Sequence, residues 1–267
     1  MRIIVCMKQV PDHVAPQESY VINVPENKVE FRGIQPVLSL FDENALEAAL
    51  QIKDAHKGDV KISVLSAGRR IAKPVMMKAL AAGADELFMV EDESFEPQHF
   101  DSFETAAVLA AAVRKIEDYD LILVGRQAAD WNAGQAGIGL AAKLVIQVIT
   151  LEKKINISNR KVIVERLISG GHEVVEADLP AVVMVSNEVG ELRYPTMIQR
   201  RDAKGKPVVS WKKDDLSFES HDGSKVHIRL LIKPELKLRQ CQYFKGETPA
   251  DTGKNLALAL LHDKIIG

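Results

Sequence analysis

The sequence predicts an α/β protein: a doubly wound, mainly parallel sheet with helices on both faces, a smaller antiparallel extension and a C-terminal arm. Three observations predict it. Short apolar runs rich in β-branched residues alternate with helical-period segments through the first half of the chain. Glycines stand where helices are usually stopped, as at Gly58 and Gly83. After residue 146 the alternation gives way to strand-like runs broken by the turn pairs "SN" and "GG". Strands separated by helices need crossover connections, which place the helices over both faces of a parallel sheet.

Each element follows from its residues. "RIIVCMK" (2–8) reads as the first strand, and 59–68, 86–92 and 120–125 repeat its type. Between them, 42–58, 70–83 and 101–118 carry apolar residues at three- and four-residue spacing and begin near capping types such as Asp42 and Asp101. "SYVINVPENKVEFRG" (19–33) reads as a hairpin around "PEN". Residues 147–186 read as a meander of antiparallel strands beside the sheet. These elements give three expected regions: an α/β domain with its antiparallel extension over 1–186, an extended arm over 187–212 and a tail over 213–267 with a capped terminal helix at 251–264.

Bulk composition excludes several classes. The 267 residues carry a formal charge of -2, so no global basic field argues for nucleic acid. The basic stretch "RRDAKGK" (200–206) is flanked by acids and reads as a solvated or docking surface. Cys6 and Cys241 show no metal-ligand spacing, which suits a reducing compartment. No apolar run reaches about 18 residues, and the N-terminal stretch lacks a signal-peptide layout, so a cytoplasmic protein with no membrane segment is expected. The seven histidines show no H-x-x-x-H spacing, and His221 and His227 read as solvated tail residues. No nucleophile elbow or readable acid–base pair is present, so no catalytic residue is expected.

In a doubly wound sheet, ligands bind outside the carboxyl ends of the strands near the topological switch point. The relevant ends are Cys6-Met7-Lys8, Ser66-Ala67-Gly68, Glu91-Asp92 and Gly125-Arg126-Gln127, with Ser39-Leu40-Phe41-Asp42 on the same rim. The loop "GRQAADWNAGQAG" (125–137) ends in small residues at a helix start, where backbone N–H groups can approach a phosphate. It matches neither the dinucleotide fingerprint nor the Walker loop. Composition alone leaves two readings open, a nucleotide loop and a glycine-rich turn that merely permits close packing.

Several motifs in order resemble the beta subunit of electron transfer flavoproteins. They are "MRIIVCMKQVPD", "LFDENALEAALQIKD", "KALAAGADE", "DLILVGRQAAD" followed by "GQAG", "VIVERLISGGHEVVEADLPAVVMVS" and "ELRYPTM". The likeness runs from residue 1 to about 210. It implies half of a heterodimer in which an alpha subunit carries the main redox FAD. The beta subunit then holds a second nucleotide, AMP in ordinary members or FAD in electron-bifurcating ones, with NAD as a donor to the complex. Carried over by position, that nucleotide would contact Cys6, Ser39, Leu40, Phe41, Asp42, Ala67, Gly125, Arg126, Gln127, Asp130, Asn132, Ala133, Gly134, Gln135 and Ala136. Tyr194 and Met197 would belong to the arm that docks an acyl-CoA dehydrogenase or another dehydrogenase. His13 falls where the family places a residue near the alpha-subunit flavin, often a tyrosine.

This chain departs from the family pattern in two places. Ser39-Leu40 stands where the family often has asparagine-proline. The loop of bifurcating members commonly carries a threonine and a valine where this chain has Ala133 and Ala136. The missing hydroxyl removes one phosphate donor, a loss of about 1 kcal/mol. A second class, the universal-stress or adenine-hydrolase modules, shares such a sheet, but it rarely continues with "LPAVV" and "RYPTM" segments.

Overall fold

The computed structural model describes residues 1–56, 58–96, 101–217, 224–233 and 241–266. Two compact units divide the chain, Met1–Leu231 and Ile232–Gly267. Its strands are β1 (Arg2–Cys6), β2 (Gln9–Pro11), β3 (Tyr20–Asn23), β4 (Lys28–Phe31), β5 (Pro36–Leu38), β6 (Lys61–Gly68), β7 (Glu86–Glu91), β8 (Leu121–Gly125), β9 (Gln147–Ser158), β10 (Lys161–Ile168), β11 (Gly171–Asp178), β12 (Ala181–Val185) and β13 (Val208–Trp211). The helices are α1 (Leu40–Ala55), α2 (Lys73–Ala82), α3 (Ser102–Ile116), α4 (Ala136–Leu144), α5 (Met197–Asp202) and α6 (Pro249–His262).

Among the described residues the main sheet runs β11-β10-β9-β12-β8-β1-β6-β7-β13. Every neighbouring pair from β9 to β13 is parallel, and β10 pairs antiparallel with β9 and β11. β3 and β4 form the expected hairpin, a separate ribbon on the way to α1. Alternation along β1 sends Ile3 and Val5 to one face and Ile4 and Cys6 to the other. The first face is covered by α1 and α2 through residues such as Leu46, Ala49, Met76 and Leu80. The second is covered by α3 and α4 through Val108, Ala112, Leu140 and Ala141. Each fully buried Ile or Leu stabilises this arrangement by about 1.5–3 kcal/mol. The doubly wound prediction therefore holds.

Local signals met different fates. Asp101 caps α3 as expected, accepting from the amides of Phe103 and Glu104. Gly83 ends α2 at φ 138°. Gly58 does not end α1, which stops at Ala55 with His56 extended behind it. Asp42 is not a cap either: it lies inside α1, Ser39 occupies the cap position, and the Asp42 carboxylate is spent elsewhere.

Residues 181–185 depart from the expected meander. β12 lies parallel between β8 and β9, with Val182 opposite Ile122 and Val148. All five of its residues are buried, so an apolar run on both faces belongs in the sheet interior. The stretch from 187 is also more structured than an extended arm, since it holds α5 and ends in β13 on the outer edge of β7. The beginning of the tail is tied down within the first unit. Asp101 accepts from the Ser224 hydroxyl and the amides of Lys225 and Val226, and Asn27 bonds Ile228 and Leu231. His227 is exposed, while His99 and His221 lie outside the described residues.

Within the second unit, α6 begins with a reciprocal capping box between Thr248 and Asp251. That box matches the capped terminal helix expected at 251–264. Among the described residues no helix is long and apolar enough to cross a membrane.

Candidate functional site

The chain lays β6 and β7 on one side of β1, then crosses over through α3 to place β8 on the other. The carboxyl ends of β1 and β8 therefore flank the switch point, and Cys6 and Val124 are register partners there. Asp42, at the start of α1, closes that crevice from one side. Its Oδ2 accepts the Lys8 amide at 2.8 Å and its Oδ1 accepts the Gly125 amide at 3.2 Å. Burial pushes the Asp42 carboxyl up to about 7, against the two amide donors and the Lys8 charge, which favour the ionised form. Lys8 in turn reaches the loop after β8, with its Nζ 2.7 Å from Asp130 Oδ2.

Gly125 is required sterically. A Cβ there would lie 2.4 Å from Asp42 Oδ1 and 2.7 Å from the carbonyl carbon of Phe41. Arg126 donates its amide to the Val185 carbonyl, and its guanidinium carbon sits 5.1 Å from the centre of the Phe41 ring. The stack holds the fork of Arg126 at the rim, where its remaining donors can meet an anion.

The rest of the loop is held by its own polar groups. Gln127 Nε2 donates to Asn132 Oδ1 at 3.0 Å, and the Trp131 amide donates to Asp130 Oδ1 at 2.9 Å. Asn132 and Gly134 adopt positive φ, 51° and 64°. Gly134 brings the chain back over the Arg126 carbonyl, and Gln135 leads into α4 without any side-chain cap. The first amides of α4, from Ala136 onward, have no partner within the helix and carry its positive dipole end. Gly137, in contrast, serves packing: a Cβ there would lie 2.6 Å from Val124 Cγ2 and 3.0 Å from Met184 Cγ.

Most of the predicted rim residues fall at the ends of β1 and β8, in the loop after β8 and at the starts of α1 and α4. Ala67 lies on β6, the next strand out from β1. Leu40 is 41% exposed, and Ser39 is fully buried with its hydroxyl unpartnered among the described residues. Cys6 is buried beside Asp42, and burial first and the Asp42 charge second push its thiol far up. It offers a ligand backbone and shape, with no thiolate.

Tyr194 and Met197 are 90% and 79% exposed on the arm that follows β12. Glu47 and Arg193, which join that arm to α1, were missed in the sequence. The available signal was a charged residue, Glu47, inside the apolar stretch "ALEAAL". A buried group in the middle of β9, opposite the last residue of β12, was missed as well. Glu152 is fully buried and neither of its carboxylate oxygens has a partner among the described residues. Burial, with the Glu188 charge second, pushes it up to about 8. The Ser186 hydroxyl beside it is buried and unpartnered too. Only the backbone bond from the Ser186 amide to the Glu152 carbonyl, at 3.2 Å, links the two residues.

A parallel sheet with its crevice at this switch point, lined by a carboxylate and a glycine loop, defines a class of α/β subunit that the comparisons with known proteins make specific. The electron transfer flavoprotein domain model matches residues 28–216. The chain belongs to the electron transfer flavoprotein family, among its beta subunits. It is 36% identical over 222 residues to the caffeyl-CoA reductase-Etf complex subunit CarD of Acetobacterium woodii, covering 82% of this chain and 80% of that one. It is 34% identical to the electron transfer flavoprotein subunit beta of Megasphaera elsdenii, covering 88% of each chain. Protein FixA of Azorhizobium caulinodans is 30% identical over 94% of this chain and 92% of its own.

Proposed function

We propose that this subunit holds a nucleotide in the crevice between β1 and β8 and, paired with an alpha subunit, passes electrons between a dehydrogenase or NADH and an acceptor. The observation that carries the reading is the Asp42 bridge. One buried carboxylate binds the amides of Lys8 and Gly125 and so sets the distance between the two strand ends. Around it the residues fit a nucleotide: the buried Ser39 hydroxyl lacks a partner, the amides starting α4 are free of caps, and Arg126 is stacked at the rim. Backbone amides and a guanidinium suit a phosphate or pyrophosphate. The remaining contacts expected of the 39–42 and 125–136 segments, and of Cys6 and Ala67, follow from their places on this rim.

FAD is the favoured occupant, with AMP as the alternative. The loop keeps Asp130, Gln135 and Gly137 of the pattern that the resemblance gives to bifurcating members, which favours FAD and electron bifurcation. Ala133, which offers no hydroxyl, supports AMP. A bound flavin would supply reversible electron acceptance, and this chain's residues bind and orient it; no independent substrate turnover is assigned to the subunit. The alpha-subunit partner, the cytoplasmic location and the docking role of Tyr194 and Met197 belong to the same proposal. Small molecules released from the purified heterodimer and counted test it. Two FAD per heterodimer are expected, one FAD and one AMP support the alternative, and no nucleotide beyond the alpha-subunit flavin sinks the site.

A further inference from the structure

Between β12 and α5 the chain runs through residues 190–196 with no regular secondary structure, and it ends in an exposed apolar tip of Tyr194, Met197 and Ile198. Backbone ladders do not hold this stretch, so side chains must. α1 supplies them. Asn44 Nδ2 donates to the Gly190 carbonyl at 2.5 Å, and Gln51 Nε2 to the Val189 carbonyl at 3.2 Å. The strongest hold is Arg193. Its amide donates to Glu47 Oε2 at 3.0 Å, its Nη2 to Glu47 Oε1 at 2.8 Å and its Nη1 to Asp54 Oδ2 at 2.7 Å. Glu47 is 6% exposed, so its charge is compensated in a place where water cannot replace the guanidinium. Beyond Arg193, the reciprocal bonds between Thr196 and Gln199 start α5 and set the direction of Met197.

We propose that Arg193 is a positioning residue for partner docking: its fork on Glu47 and Asp54 holds the apolar tip of residues 194–198 out from the surface. Exposed apolar side chains on an untethered loop gain by collapsing onto the nearest apolar surface. A fork engaged on two carboxylates and a main-chain amide engaged on one of them fix both position and orientation, which a point charge does not. This rests on the docking reading of the arm given above, and it adds a residue that touches no partner itself.

The test uses the heterodimer with its alpha subunit, as wild type and as Arg193→Met, Arg193→Lys, Glu47→Gln and Met197→Ala variants. Amide exchange over residues 187–198 is read against β1 and β8, and electron uptake is measured from an acyl-CoA dehydrogenase reduced by its acyl-CoA. Arg193→Met should exchange about tenfold faster over 187–198 alone, with β1, β8 and nucleotide content unchanged. Its KM for the dehydrogenase should rise about tenfold at nearly constant kcat. Arg193→Lys should recover part of both effects, and Glu47→Gln should resemble Arg193→Met. Unchanged arm exchange in Arg193→Met, or equal loss of protection in β1 and β8, overturns the inference. A wild type that takes no electrons, or an unchanged KM in Met197→Ala, overturns the docking reading, and the role of Arg193 in docking falls with it. The nucleotide count, read separately, judges the crevice.

Discussion

The Asp42 carboxylate accepts the amide of Gly125 at 3.2 Å across 83 residues of sequence. Because its other oxygen accepts the Lys8 amide, the start of α1 is bonded to the ends of β1 and β8 at once. Neither strand end can drift without breaking a bond to a buried acid, and an unmatched buried acceptor costs about 1–3 kcal/mol.

Gly125→Ala tests that bridge. The added Cβ would meet the Phe41 backbone, which cannot step aside, and Asp42 Oδ1, which can move only by giving up its bond to the Gly125 amide. Urea denaturation should show a loss of about 1–3 kcal/mol, accompanied by loss of bound nucleotide. Full stability in the variant would mean that the bridge is looser than its distances indicate.

Gly134→Val tests the close approach at the start of α4. A φ of 64° is costly for a β-branched residue, and its side chain would stand where the nucleotide is proposed to lie. Nucleotide retained by the purified heterodimer should fall to the alpha-subunit flavin alone. Unchanged content, measured on released small molecules, would move the site elsewhere.

Arg126→Lys separates charge from fork. The lysine keeps the positive charge and loses the planar donors that stack on Phe41. Nucleotide affinity, measured by calorimetry on the stripped heterodimer, should weaken about tenfold, the loss expected for a charge-assisted hydrogen bond. Equal affinities would remove Arg126 from the proposed contacts.

Glu152 makes stability depend on pH. Its folded value of about 8 lies above the ordinary 4.5, so its stabilising contribution is full below about 4.5 and is lost as pH rises to about 8. Asp42 acts in the same direction between 3.8 and about 7. Glu152→Gln should flatten the fall in stability between pH 5 and 8 by about 1–3 kcal/mol while leaving the Asp42 part in place. Thermal melts across that range check it, and identical slopes in the two proteins would refute it.

The rim was legible because it depends on chain order and residue type. "DLILVGRQAAD" names a strand end and a glycine loop wherever the strand finally lies. Asp42 was harder, since an acid near a helix start reads as a cap until the strands it binds are in place. Glu47 and Arg193 are 146 residues apart, and no period in either segment points to the other.

By itself the sequence determined the alternation of strands and helices, the hairpin at 19–33, the glycine-rich loop and the family. These are local patterns of hydrophobicity, turn chemistry and motif order, and each is complete within a few tens of residues. Only the tertiary structure decided that β12 lies inside the parallel sheet and that Asp42 bonds two strand ends. It alone assigned Gly125 to clearance and Gly137 to packing, and placed Glu152 and Glu47 in the interior. Those outcomes depend on which distant segments share a volume from which water is excluded. There a charge or a missing Cβ acquires its meaning from the neighbours that packing supplies.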